Sequence, residues 1–175
     1  MHRFYALLAL AACAVVPHLR AQSANPPVTA AACPPTTTLD ELIKAIDDAV
    51  SGPANKDRTC FRGLFVPVAR LIPIRIADDG TATPRILTVQ DWIDAVAKRG
   101  SSVFYERQVK VKSEVYGHIA HLWSTYETRA TPDGKAEVRG INSIQAVNDG
   151  TRWHVMEIVW QAETPTMPVP GKYLP

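Results

Sequence analysis

The residue spacings that hold most protein-bound zinc are missing from this chain, which has no Cys-x-x-Cys and no His-x-x-x-His. The sequence therefore calls for no metal and no cofactor. Cysteine is scarce, at three in 175 residues, and histidine at five. No apolar run reaches the roughly 20 residues that an ordinary membrane-spanning helix needs. Neither sign of charge dominates, with 19 Lys and Arg against 17 Asp and Glu, so nothing attracts nucleic acid or an anionic membrane surface. Internal repeats are absent too. What is present is 46% apolar residues in a length that suits one domain, enough to bury a core.

The N-terminus reads as a signal peptide over residues 1–21. Met1-His2-Arg3 is a short basic start, Phe4 to Val16 is apolar, and Pro17 breaks the run. Ala21 supplies a small residue before the cut, so the mature chain begins near Gln22. Leu10-Ala11-Ala12-Cys13 resembles a bacterial lipobox and offers a second route, a lipid anchor on Cys13. The apolar run continues through Ala14, Val15 and Val16, which favours ordinary cleavage and a periplasmic or secreted protein. Cleavage removes Arg3 and Arg20 and leaves 17 basic against 17 acidic residues. It also leaves Cys33 and Cys60, which in an oxidising compartment are either a disulfide or two free buried thiols.

Residues 22–37 are rich in Pro, Ala and Thr and read as a flexible linker. A helix follows from Leu39 to before Gly52, with Leu42, Ile43, Ile46, Ala49 and Val50 at helical spacing and Thr38 as its cap. A short helix is expected near Arg58–Phe65. Next come a strand over Ala69–Ala77, the turn Asp78-Asp79-Gly80 and a strand over Pro84–Leu87. Pro73 has no ladder donor and places the first of these at an edge or a bulge. Thr88 with Asp91 opens a third helix that ends at Gly100. Four long strands complete the pattern, near Val103–Ser113, His118–Arg129, Ala136–Val147 and Trp153–Ala162. The Pro-rich tail of residues 164–175 packs as a strap or dangles. Helices in the first half and long antiparallel strands in the second mean an α+β fold. Such strands twist, and are expected to curl round the three helices as a cone with a cavity in its mouth.

That order resembles the nuclear transport factor 2-like superfamily, which includes SnoaL-like domains and ketosteroid isomerases. The local likeness lies in Phe104-Tyr105-Glu106-Arg107, Ile119-Ala120-His121, Ser124-Thr125-Tyr126-Glu127 and Arg139-Gly140-Ile141-Asn142-Ser143-Ile144-Gln145. It continues in Asp149-Gly150, Arg152-Trp153 and Ile158-Val159-Trp160-Gln161, and is of the kind seen in an exported bacterial branch. It covers about residues 38–163 and implies a fold rather than a chemistry. Members include isomerases, dehydratases, cyclases, epoxide hydrolases and binding domains without catalysis. Ketosteroid isomerases use a tyrosine donor and carboxyls facing a dry pocket. The first helix here has no tyrosine, so that mechanism is not carried over.

The residues that can carry chemistry are few. His121, mid-strand beside Ile119 and Trp123, is either a general base or a structural histidine bonded to backbone or to Gln145. Glu106 and Glu157 are mid-strand carboxylates, able to act as acid or base if buried and merely solubilising if exposed. Strand alternation puts Tyr126 opposite His121, which argues against pairing them. Glu127 and Arg139 fall directly across the Pro132-Asp133-Gly134 turn and read as an ion pair, or Arg139 orients a ligand carboxylate. Tyr126, Arg139, Asn142, Glu157 and Trp160 are the expected pocket wall. Both faces of the last three strands carry apolar residues, so a homodimer through the outer sheet face is expected. The functional expectation is a domain binding an apolar small molecule. An acid/base enzyme of isomerase, dehydratase or hydrolase type and a structural dimer module are the alternatives.

Overall fold

The computed structural model describes residues 33–175. The expected signal peptide, Cys13 and most of the linker lie outside the described residues. Thr36, in the last stretch of the expected linker, is buried and fixed to Trp153 by two hydrogen bonds: Thr36 Oγ1 donates to the Trp153 carbonyl at 2.9 Å, and the Trp153 N–H donates back at 2.7 Å. The packed domain therefore starts a few residues earlier than composition suggested.

Helix α1 spans Leu39–Val50. Thr38 and Glu41 cap it reciprocally, the Glu41 N–H donating to Thr38 Oγ1 at 3.2 Å and the Thr38 N–H to Glu41 Oε2 at 3.1 Å. Strand β1 (Gly52–Pro53) and the one-turn α2 (Thr59–Gly63) follow. Strands β2 (Phe65–Ile76), β3 (Ala82–Pro84) and β4 (Leu87–Thr88) come next, then α3 (Val89–Ala97), whose start is fixed by the same box between Thr88 and Asp91. The long strands are β5 (Val103–Tyr116), β6 (Ile119–Arg129), β7 (Val138–Asn148) and β8 (Trp153–Ala162).

All eight strands form one sheet in the order β1-β5-β6-β7-β8-β2-β3, with β4 also on β2. Every pairing is antiparallel except β2 with β8. The single strand expected over Pro84–Leu87 is in fact the two short pieces β3 and β4. Between them lies the account of Pro73. On that side β4 pairs Arg70 and Leu71, and β3 pairs Ile74 to Ile76. Pro73 falls in the gap, so its missing N–H leaves no ladder partner wanting.

One sheet face packs on the helices. Leu42, Ile46 and Val50 of α1, Phe61 of α2 and Leu71 of β2 meet Leu122, Ile144, Val155 and Ile158 in a continuous core. The opposite, outer face carries the tail: Thr125 Oγ1 donates to the Tyr173 carbonyl at 2.5 Å, and Lys110 Nζ to that of Leu174. The tail is thus a strap, and part of the apolar outer face is covered by this chain itself.

Candidate functional site

Between the inner sheet face and the helices the packing leaves a cavity of about 300 Å³. Its walls are Phe61, Trp92, Phe104 and Trp160 with aliphatic side chains of α1, β2 and β8. Phe61 stacks on Trp92 with ring centres 4.4 Å apart, and the Arg58 guanidinium lies 5.5 Å above Trp92. Arg99, 5.9 Å over the Phe104 ring, brings the one guanidinium among the lining residues. Glu106, Tyr126, Thr128 and Asn142 of the sheet also line this apolar hollow and, with Arg99, can hydrogen-bond a guest.

Strand register explains the set. Gln108 of β5 lies opposite Tyr126, Tyr126 opposite Gly140, Ser124 opposite Asn142 and Asn142 opposite Trp160. Directly paired residues share a face, so all project inward. Gly140 is required here. A Cβ on it would sit 2.3 Å from the Gln161 carbonyl oxygen and 2.6 Å from the Tyr126 hydroxyl, so the absent side chain is the space the tyrosine uses.

Gln108 organises the polar floor. Its Oε1 accepts from Ser124 Oγ and from Asn142 Nδ2, the latter at 3.2 Å. Its Nε2 therefore faces Glu106 and donates to Oε1 at 3.2 Å. Behind β5, away from the cavity, α1 closes the strand edge. Ser51 Oγ accepts from the Glu106 N–H at 2.9 Å, and Asp47 Oδ2 from the Gln108 N–H at 3.0 Å. Asp47 Oδ1 is buried without a partner.

Burial, and secondly the nearby Asp47 carboxylate, push Glu106 from 4.5 up to about 7. Burial likewise pushes Asp47 from 3.8 up to about 6, against the opposing pull of its Gln108 hydrogen bonds. The Tyr126 phenol is held well above its usual range by burial and then by Glu106. Near neutral pH the Glu106 carboxyl is thus close to its midpoint, so the floor can donate as well as accept.

Of the candidates read from sequence, Tyr126, Asn142, Trp160 and Glu106 meet at this cavity. Arg139 and Glu157 do not. Arg139 lies on the outer face, where its Nε and Nη2 hold Glu127 Oε1 at 3.0 and 2.7 Å; Arg129 takes the other oxygen. Glu157 is turned outward by a bulge. Gln145 pairs with Glu157, yet Ala146 pairs with Val155, so Met156 is an extra residue that reverses the alternation of β8. Glu157 meets Arg70 at 3.0 Å instead. His121 is also outward, its Nε2 3.2 Å from Ser143 Oγ rather than at Gln145. Cys33 and Cys60 are joined as a disulfide, which ties the first described residues to α2 beside the cavity residue Phe61. Asp47 and Gln108 had no sequence signal, since polar residues at a helix end and in a strand read as solvated. Among the described residues, no cluster of His, Cys, Asp and Glu could hold a metal ion, and no helix is long and apolar enough to cross a membrane.

The outer face has a second hollow, of about 590 Å³, between the strap and Trp123, Ile141 and Val159.

No family model matches the sequence, and no curated protein does. Solved structures match in fold. A protein of unknown function with a cystatin-like fold from Nostoc punctiforme is similar at a TM-score of 0.57 and 11% identity, over 75% of this chain and 92% of that one. A nuclear transport factor 2-like protein of unknown function from Silicibacter pomeroyi is similar at 0.50 and 15%, over 71% and 92%. The beta subunit of a putative aromatic-ring-hydroxylating dioxygenase from Novosphingobium aromaticivorans is similar at 0.54 and 14%, over 72% and 87%. The chain has the nuclear transport factor 2-like, or cystatin-like, α+β fold. At these identities the likeness extends to the fold alone.

Proposed function

We propose that this protein is a small-molecule-binding domain whose guest enters the cavity between the sheet and the helices. The observation that carries this reading is an unfilled, aromatic-walled hollow with a small set of convergent polar groups, Glu106, Tyr126 and Asn142, at its floor. A purely structural module would gain by filling that space. The test is an NMR titration of the chain with a panel of small aromatic molecules, following the indole N–H signals of Trp92 and Trp160. Both should shift with saturation for some members, and Val138→Trp, at a half-exposed lining position, should abolish the effect. A panel that moves neither indole would remove the reading.

A second reading, an enzyme performing proton transfer on an apolar substrate, is favoured by Glu106, whose carboxyl titrates near neutrality inside the cavity. Turnover unaffected by Glu106→Gln would dismiss it.

Two further parts of the proposal concern setting. Export is supported by the Cys33–Cys60 bridge, which suits an oxidising compartment. Assembly as a homodimer through the outer sheet face is supported by apolar Ile119 and Met156, which remain exposed there beyond the strap. Light scattering at micromolar concentration should give twice the chain mass.

A further inference from the structure

The hollow on the outer sheet face is built by this chain on both sides. Trp123, Ile141 and Val159 of the sheet form its floor, and Met167, Val169 and Tyr173 of the strap form its roof. The strap is fixed at both ends. Near its start the Val169 N–H donates to Glu163 Oε2 at 3.1 Å, and the Val169 side chain is buried. Near its end Thr125 and Lys110 hold the carbonyls of Tyr173 and Leu174. Pro168 and Pro170, on either side of Val169, restrict the backbone there. A strap that only covered apolar surface would lie flat on it, because close contact is favourable. This one spans about 590 Å³, the size of a small-molecule site. Among the lining residues Glu163 is the one charged group. Arg139 Nη1 stays 3.9 Å from its Oε1, while Glu127 takes the Nε and Nη2 of that arginine. Trp123 and Tyr173 meet with ring centres 5.9 Å apart and planes at 50°. Two neutral polar groups of the lining are already engaged. Ser143 Oγ is 3.2 Å from His121 Nε2, and Gln161 Nε2 donates to Met167 Sδ at 3.1 Å.

We propose that this hollow is a second binding site, for an apolar organic cation of the alkylated-ammonium type. The cationic head lies among Trp123, Tyr173 and Glu163, and the hydrocarbon part rests on Ile141 and Val159. The site is on the opposite side of the sheet from the cavity described above, and the inference stands without the binding reading of that cavity. Aromatic rings attract a cation through their quadrupole, more strongly where water is excluded. The Tyr173 ring already takes one cation of this chain, Lys172 Nζ at 4.8 Å, which does not itself line the hollow. Glu163 supplies the opposite charge. An alkylated ammonium has few N–H groups or none, so it asks little of a lining whose neutral polar groups are spent elsewhere. An anion would face Glu163 with no cation in the lining to meet it. An uncharged hydrocarbon would gain the apolar contacts alone.

The experiment compares three benzyl compounds of similar size against the full chain. They are benzyltrimethylammonium, its uncharged carbon isostere neopentylbenzene, and the anion benzylsulfonate. Binding is read by NMR at the indole N–H of Trp123, which lines the outer hollow, and of Trp92, which lines the inner cavity. Trp160 lines both and is not used. The cation should shift Trp123 with saturation, leave Trp92 unmoved, and bind roughly ten-fold more tightly than the isostere. The anion should not bind. Equal affinity of the cation and the isostere overturns the ligand class. A cation that shifts Trp92 and not Trp123, or that shifts neither, overturns the site. Two variants test the residues. Glu163→Gln keeps an oxygen for the Val169 N–H and removes the charge. Tyr173→Leu keeps the carbonyl that Thr125 holds and removes the ring. Each should weaken the cation about three-fold or more and leave the isostere nearly unchanged. Unchanged cation affinity in either variant overturns the role given to that residue. Should a variant loosen the strap, seen as a moved Trp123 signal before any compound is added, the three compounds on the unaltered chain decide alone.

Discussion

Gly140 and Tyr126 illustrate how much of the cavity depends on single atoms. Gly140→Ala puts a methyl group against a backbone carbonyl that cannot rotate away as well as against the phenol ring. We expect a loss of about 1–3 kcal/mol in denaturant unfolding. Tyr126→Phe should restore only part of it, since the Gln161 carbonyl is untouched. Glu106 gives a second expectation at this scale. A carboxyl whose midpoint is higher in the folded state binds its proton more tightly there. Its contribution is complete below the unfolded midpoint near 4.5 and is lost as pH rises through about 7. Unfolding measured across that window should show stability falling with pH by on the order of 3 kcal/mol. Glu106→Gln should flatten the slope, and an equally steep profile in that variant would assign it to other groups.

At the scale of elements, α1 both shapes the cavity and seals the β5 edge. Its inner face supplies Ile46 and Val50, and one turn apart Asp47 and Ser51 occupy the backbone donors of Gln108 and Glu106. Loosening the helix start should be felt in both places. Thr38→Ala removes the cap and is expected to cost about 1 kcal/mol, with hydrogen exchange rising at the Gln108 amide as well as in the helix. Normal protection at Gln108 would show that the edge is held independently of the cap. The elements themselves were legible in the sequence because their boundaries are written in local chemistry. Thr38 with Glu41 and Thr88 with Asp91 mark helix starts, and Asp79-Gly80 and Asp149-Gly150 mark turns. The site was legible only in part. Tyr126, Asn142 and Trp160 obey simple alternation. Glu157 stands three residues from Trp160 and Arg139 three from Asn142, so alternation alone turns each of them away from the face its companion lines. Asp47 was overlooked because what buries it is a strand more than 50 residues away.

For the molecule as a whole, the Cys33–Cys60 bridge closes a loop with a sequence separation of 27, containing all of α1. Chain-entropy arguments give such a bridge about 3 kcal/mol. Reduction, or Cys60→Ser, should lower the unfolding midpoint accordingly, and an unchanged midpoint would show that the Thr36–Trp153 contact alone holds the segment. The parallel join of β2 to β8 has a different consequence, one of timing. Phe65–Ile76 and Trp153–Ala162 are adjacent in the sheet but far apart along the chain. A nascent chain therefore carries β2 with its β8 side open until Trp153–Ala162 has left the ribosome. Pairing over so long an interval is slow to nucleate. The folding chain thus has no means of completing its sheet before the β8 segment arrives.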